Sequence, residues 1–467
     1  MASLALGVRF NPVSAGVLDF VYASVVTGYR DPVAGLVNSK TYRYRAESAD
    51  LSQWEFGTGI WSSSTNTLSR NTVDFSSTGA KVSFTVQPQV AITIEPADVL
   101  QFDDTMALTT AQQAMARSNI YAAPMDALAF NNIIINGAME VDQIRFGASV
   151  AFTVSAASYV IDQWMGTKTG TMNFTCQQVA DAPPGFTNSL KVAVTVAEAS
   201  LGAGDFAIIY QPIEGFRAEQ LAFGTASPQT VTIGFWTKIH RTGVYSGVLK
   251  NPSNTRTYPF TFTQNVADTW EYKTVQIPGD GVGSGAWLGG TLAASMLLGF
   301  CIAGGSTSVA APGIWTSTGP IGATGTTNGV AATSDVFQIT GVTMFAGTQL
   351  PVAVNSAFLM RPYAEELRLC QRYFWSSGQT GNEPAAIGAT NPGYWMGGTW
   401  NFPVQMRTDP TMGYTGTFTV QQVNQPVMWL SSKVGFTMYA TGTVGTASAG
   451  YFYSNSGAAI VTADARM

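Results

Sequence analysis

The sequence predicts a mainly β protein assembled from small domains, and three observations carry that reading. Charged residues make up only 11% of the 467, against roughly 25% in an ordinary globular chain, while hydrophobic residues reach 46%. This balance excludes a disordered chain and leaves a surface of Ser, Thr, Asn, Gln and Gly. Short apolar and alternating runs recur between Gly-, Ser- and Asn-rich turns, as strands do. Helix signals are few. The expected plan is a small β domain over 1–100, a short helical connector over 101–129, a central β-sandwich of jelly-roll type over 130–360, and a small α+β domain over 361–467.

In the first segment the strand candidates are Val17–Val26, Lys40–Ala46, Gln53–Gly57, Thr67–Arg70, Lys81–Val86 and Val90–Ile94. Turns such as Trp61-Ser-Ser-Ser-Thr-Asn66 separate them. Thr41-Tyr-Arg-Tyr-Arg45 alternates cleanly, which marks a half-solvated antiparallel strand. The connector rests on Leu108–Asn119, with a Thr cap and helix formers. It is too short to be stable alone.

The central segment offers Thr171–Thr175, Leu190–Val196, Phe206–Gln211, Thr230–Thr237, Tyr258–Thr263, Glu271–Ile277, Leu297–Ile302 and Val336–Met344. About eight strands at this spacing suit a two-sheet sandwich. Long polar loops lie between them, above all Gly304–Ser334 with Trp315. Loops of this length are usually functional or disordered. Trp287–Ala303 is apolar enough to suggest a membrane span, but Gly289, Gly290 and Gly299 interrupt it and no Lys/Arg bias flanks it. A buried strand over Leu297–Ile302 is the better reading, so no membrane insertion is expected.

The last segment opens on Arg361–Trp375, the clearest helix signal. Pro362 stands where a helix start tolerates a missing N–H. Tyr363, Leu367, Cys370 and Phe374 follow helical spacing, and Glu365 and Glu366 lie at the positive end. Strands are expected around Gly393–Phe402, Phe418–Gln422, Val427–Leu430, Gly435–Ala440 and Gly450–Ser454.

The chemistry the sequence offers is narrow. The formal net charge is −5 with no basic stripe, which disfavours a nucleic-acid partner. A single histidine, His240, argues against a His-based triad or a His-rich metal site. Cys176, Cys301 and Cys370 are far apart and odd in number, so buried free thiols are expected rather than disulfides or metal ligands. Asp280 in the Gly279–Gly285 run is one carboxylate and makes no calcium site. No metal and no cofactor is expected. Glu140, Asp142, Asp162, Asp205, Glu214 and Glu219 are the carboxylates that could pair for glycoside hydrolysis, but none stands in a spacing that demands it, so no catalytic residue is assigned. The N-terminus lacks a basic region before its short apolar run, so no secretory signal is expected.

Aromatic residues are the stronger lead, with 11 Trp and 17 Tyr. Trp287, Trp315, Tyr394, Trp395 and Trp400 sit in polar, Gly-rich contexts, where a ring can stack a sugar or seal a subunit interface.

Several phrases, in order, resemble the distal part of tailed-bacteriophage tail fibres and related minor tail proteins. They are Asn136-Gly-Ala-Met-Glu-Val-Asp-Gln143, Tyr159-Val-Ile-Asp-Gln-Trp164, Tyr210-Gln-Pro-Ile-Glu-Gly215, Val231-Thr-Ile-Gly-Phe-Trp236, Ile339–Gly347, the helix from Arg361, and Pro403–Pro410. Trp54-Glu-Phe-Gly-Thr-Gly59 with Thr67-Leu-Ser-Arg70 resembles a phage tail-attachment domain, and Leu108–Asn119 a fibre connector. The resemblance implies a virion tail-fibre protein with a carbohydrate-binding-like jelly roll, attached by its N-terminal domain and binding host surface polysaccharide distally. It further implies a homo-oligomer, expected to be trimeric, with other tail or baseplate proteins as partners and assembly in the host cytoplasm. A glycan-cleaving tailspike depolymerase and a purely structural collar, head-fibre or baseplate component stand as alternatives.

Overall fold

The computed structural model describes residues 3, 5–94, 116, 128–282, 286–348, 350, 352–380, 383–443 and 448–467. The chain divides into two compact units, Met1–Gln113 and Ala114–Met467. The connector expected over 101–129 lies almost wholly outside the described residues.

The first unit is a closed β-barrel. Its strands are β1 (Arg9–Pro12), β2 (Phe20–Val25), β3 (Thr41–Glu47), β4 (Trp54–Ser62), β5 (Thr67–Leu68), β6 (Thr72–Ser76) and β7 (Gln89–Thr93). The order β3-β7-β1-β2-β5-β4 returns to β3 because β3 also pairs with β4, and β6 adds to β4. Closure removes the open edges on which sheets aggregate. The alternation in β3 does what its period requires: Tyr42, Tyr44 and Ala46 point inward and are buried, with Phe10, Phe20, Trp61, Leu68 and Phe84 around them.

Among these rings lies a fully buried ion pair, Glu55 with Arg70. Glu55 accepts from Arg70 Nε at 2.7 Å, from the Tyr44 hydroxyl at 2.7 Å and from the Val82 backbone N–H at 2.8 Å. Arg70 also donates to the Val82 carbonyl at 2.8 Å and lies over the Phe20 ring. Buried charges are tolerated when their remaining hydrogen bonds are met in this way. The same contacts explain why Lys81–Val86 is not a strand. The backbone of Val82 is engaged by side chains instead of a neighbouring strand, and only a single bridge, Phe84 to Gly16, remains.

The second unit is dominated by a two-sheet β-sandwich. Its strands are β8 (Val150–Phe152), β9 (Ser158–Ile161), β10 (Trp164–Lys168), β11 (Asn173–Val179), β12 (Ser189–Val196), β13 (Phe206–Glu214), β14 (Val231–Ile239), β15 (Gly243–Lys250), β16 (Thr257–Gln264), β17 (Glu271–Ile277) and β18 (Ala294–Gly304). Two short strands, β19 (Val309–Ala310) and β20 (Gly322–Ala323), precede β21 (Val336–Ala346). One six-stranded sheet runs β16-β15-β18-β13-β10-β9 and the other β17-β14-β21-β12-β11-β8. Phe235, Phe262 and Phe300 meet between them, with Trp164, Ile209, Leu249 and Leu298 in the same core. Leu297–Ile302 lies within β18, in a sheet. No helix among the described residues is long and apolar enough to cross a membrane.

The chain is thus mainly β, as its composition and spacing predict, with the sandwich at its centre. β15 and β10 lie where no strand is predicted. Their glycines and short polar residues mask the β pattern, and sheet neighbours supply what local propensity lacks.

The predicted helix spans Tyr363–Gln371, and Phe374 already belongs to strand β22 (Phe374–Ser376). Its buried residues are Glu366 and Cys370, while Tyr363 is exposed. The face turned inward is therefore partly charged. Glu366 accepts from the Asn136 backbone N–H at 2.5 Å and from Arg361 at 3.2 Å. Arg361 donates to the carbonyls of Ile134 and Asn132, and Arg217 to those of Ile133 and Asn132. Arg372 and Tyr373 bind Glu214 at the end of β13. The quoted phrases around Asn136, Gln211 and Glu214 hence serve as structural fasteners. Gln211 closes both backbone bonds of Ile135, and the Asn136 side chain holds the carbonyls of Val141 and Asp162.

After β22 come β23 (Ala385–Thr390), β24 (Trp395–Asn401), β25 (Thr411–Gly416), β26 (Thr419–Gln421), β27 (Val427–Ser432), β28 (Gly435–Thr441), β29 (Ser448–Tyr453) and β30 (Ala459–Asp464), forming three three-stranded sheets. Phe402, Phe418, Phe436, Met438 and Phe452 fill their common core.

Candidate functional site

The outer face of the β16-β15-β18-β13-β10-β9 sheet is built in rows by strand register. One row reads Thr167, Ile208, Cys301, Ser246; the next Met165, Tyr210, Gly299, Val248; the third Pro212, Leu297, Lys250, Thr257. The Gly304–Ser334 loop covers the first row. It is ordered by backbone bonds such as Thr327 to Val244, and its β20 strand settles on Ser246 and Cys301, with Ala323 N–H donating to Ser246 Oγ at 3.0 Å. In the middle row Val248 and Gly299 are buried, and Met165 and Tyr210 are half-buried. A Cβ on Gly299 would fall 2.6 Å from Ile208 Cδ1 and 3.4 Å from Tyr210 Cβ, so Ile208 occupies the space over the glycine, and a hollow remains beside it on the same face.

That hollow is a cavity of ≈180 Å³ between Tyr210, Val248, Lys250 and Leu297, walled by Pro252, Asn254 and Ile321. Tyr210 is half-buried, and its hydroxyl has no hydrogen-bond partner among the described residues. Burial raises its phenol above the ordinary value and lowers the Lys250 ammonium below its own. No carboxylate lines this cavity.

A second cavity of ≈330 Å³ lies at the ends of β13 and β18, lined by Glu219, Phe223, Thr225, Trp287 and Ser295. Trp287 and Trp315 come together here. Their ring centroids are 5.7 Å apart, and both pack edge-on against Phe223. Trp287 is buried and donates to Asp280 at 3.0 Å; Trp315 is half-buried, donates to the Pro278 carbonyl at 3.0 Å and lies beside Arg256. Asp280 in turn is clamped by Arg256.

The other three predicted aromatics lie in the C-terminal sheets. Trp400 turns inward and stacks on Phe436 at 5.6 Å. Tyr394 and Trp395 are exposed, at 68% and 60%. Trp395 stacks on Tyr439 at 4.6 Å and meets Trp429, itself 54% exposed, at 5.6 Å. Gly397, Thr399 and Thr437 continue this outer face of β24 and β28 as a flat, uncharged surface. The five residues therefore fall in two places, and only Tyr394 and Trp395 present open rings. Tyr210, Gly299, Lys250 and Trp429 join the candidate surfaces only through the tertiary structure. Tyr210 opens the Tyr210-Gln-Pro-Ile-Glu-Gly215 phrase, but nothing in the sequence places Gly299 or Lys250 beside it.

The candidate carboxylates are dispersed. Asp162 is fully buried and accepts from the backbone and side chain of Gln143; burial pushes it up to about 7 against those bonds. Glu214 holds Arg372 and Tyr373. Asp142 accepts from the N–H groups of Arg145 and Gly147, and Asp205 from that of Gly202. Burial raises both Glu140 and Asp142. Glu219 alone lines a cavity. His240 is exposed beside Asp268. The three cysteines are buried and free, and no cluster of metal-ligating residues occurs among the described residues.

No protein-family model and no curated protein matches the chain. Among solved structures, the enzymatically active domain of bacteriophage CBA120 tailspike protein 4 is similar over 47% of this chain and 22% of its own length, at 14% identity and a TM-score of 0.25. A family 61 carbohydrate-binding module in complex with β-1,4-galactotriose is similar over 46% of this chain and 99% of its own, at 11% identity and a TM-score of 0.19. A family 11 carbohydrate-binding module of a Clostridium thermocellum cellulase covers 42% and 98%, at 10% identity and a TM-score of 0.23. At these values the similarity carries no functional argument, and the site is read from its own geometry.

Proposed function

We propose that this chain is a glycan-binding protein of the tail-fibre type, holding host surface polysaccharide on its sandwich without cleaving it. The observation that carries the reading is the hollow lined by Tyr210 and Gly299 on the outer sheet face. A half-buried ring with a free hydroxyl, a shallow apolar floor and neighbouring Asn254 and Thr167 offer what a pyranose needs: a flat surface for its C–H face and hydrogen bonds at its rim. The exposed Trp395, Trp429 and Tyr394 are proposed as a second stacking platform.

The phage assignment rests on the ordered phrases, and the N-terminal barrel is the proposed attachment domain. On this reading the protein sits on the virion tail as a homotrimer and contacts other tail or baseplate proteins. Weak single sites on several copies gain avidity through effective concentration. Binding of the intact chain to a glycan array and to host envelope polysaccharide tests the proposal, with reducing-sugar release measured alongside. Binding without release supports it. Absence of binding overturns it in favour of a structural component, and release overturns it in favour of a depolymerase. Labelling of intact particles with antibody against the barrel tests the tail position.

A further inference from the structure

The third row of the outer sheet face holds a charge with no counterpart. Lys250 ends β15 and lines the ≈180 Å³ cavity. It is only 8% exposed. Among the described residues it has neither an ion pair nor a hydrogen bond, while the neighbouring cationic clamp, Arg256, is already matched to Asp280. Its cross-strand neighbour on β16, Thr257, is fully buried, and its Oγ1 also lacks a partner. Two unpaired polar groups thus stand side by side on one sheet face, and an ammonium that has lost most of its solvent favours an anion that answers it. The other lining residues named above are apolar or neutral, so nothing in the cavity answers that charge.

We propose that this cavity selects an anionic sugar residue, its acidic group on the Lys250 ammonium and its ring against Tyr210. This deepens the glycan-binding reading and rests on it. The cavity is smaller than the pockets of about 300–1,000 Å³ that take drug-sized ligands, which suits one ring of a longer chain. The neutral walls around Tyr210 and Gly299 accept the ring, and Lys250 supplies the selectivity, since a neutral sugar leaves the ammonium unanswered. The shared chemistry is a negative group on the pyranose, whether carboxylate, sulfate or phosphate.

The test uses the intact protein on an array of oligosaccharides in matched pairs: uronate-, sulfate- and phosphate-bearing chains, each beside its neutral counterpart. The wild type is expected to prefer at least one anionic class by about tenfold or more, equivalent to about 1.4 kcal/mol. That preference should shrink as salt is raised while neutral binding holds. Lys250→Met, which keeps the apolar stem, should erase the preference, so that each anionic chain binds no better than its neutral counterpart. The class that binds identifies the source of the charge. Equal binding of anionic and neutral partners by the wild type, or a preference that survives in Lys250→Met, overturns this inference and leaves the glycan reading standing. Binding of no sugar overturns both. If Lys250→Met does not fold, the salt dependence of the wild type decides alone: a salt-insensitive preference overturns the proposal.

Discussion

Tyr210 and Gly299 are register partners across the β13–β18 ladder, and both line one cavity. A side chain at position 299 would displace Ile208 and narrow that cavity, as Gly299→Leu should do. The nearest atom is the flexible end of Ile208, so the sheet should accommodate the change. Glycan binding is expected to fall about tenfold or more, with little change in the melting temperature. Titration calorimetry and thermal denaturation check the two halves.

Trp395 and Trp429 test the second platform. Both are more than half exposed, so replacing them with Ala removes little core packing. The double variant should keep its melting temperature but lose retention on immobilised host polysaccharide by about tenfold or more through lost avidity. Surface-plasmon measurements at several ligand densities would show it. Unchanged retention would remove these rings from the binding surface.

The Arg361–Glu366 pair fixes the Tyr363–Gln371 helix to the segment Asn132–Asn136. Arg361→Met strands a buried carboxylate, and a loss of about 3–5 kcal/mol is expected. Denaturant unfolding followed by tryptophan fluorescence measures it. Conversion of both residues to apolar ones should recover part of the loss, which separates the stranded charge from mere packing.

Asp162 gives the sandwich a pH signature. Burial lifts its carboxyl from 3.8 to about 7, overriding the hydrogen bonds from Gln143. The folded value lies above the unfolded one, so its contribution to stability is complete below about 4 and is lost as pH rises through about 7. Asp162→Asn should flatten that part of the profile. Denaturation midpoints from pH 4 to 8, compared between the two proteins, show whether the slope belongs to this group.

Much of the fold is legible in the residues because it is local. Alternation in Thr41–Arg45 sets which side chains enter the barrel, and Pro362 with Glu365 and Glu366 starts a helix where one forms. Low charge and recurrent turns make the chain β-rich. The limits are local too. Tyr363 shares the helical spacing of Leu367 and Cys370, yet it is exposed and Glu366 turns inward, where Arg361 and the Asn136 N–H meet its carboxylate. Lys81–Val86 has strand-like residues, but Glu55 and Arg70 engaged its backbone.

The sequence by itself determined the β class, the sandwich at the centre, the helix after it and a surface of uncharged polar and aromatic residues. Only the tertiary structure decided which rings are open and which charge is unmet. Tyr210, Lys250 and Gly299 lie on three strands whose meeting depends on register, and a slip of one residue would turn each to the opposite face. Pairing between strands so distant in the chain is a property of the whole sheet, so no stretch of residues announces the site.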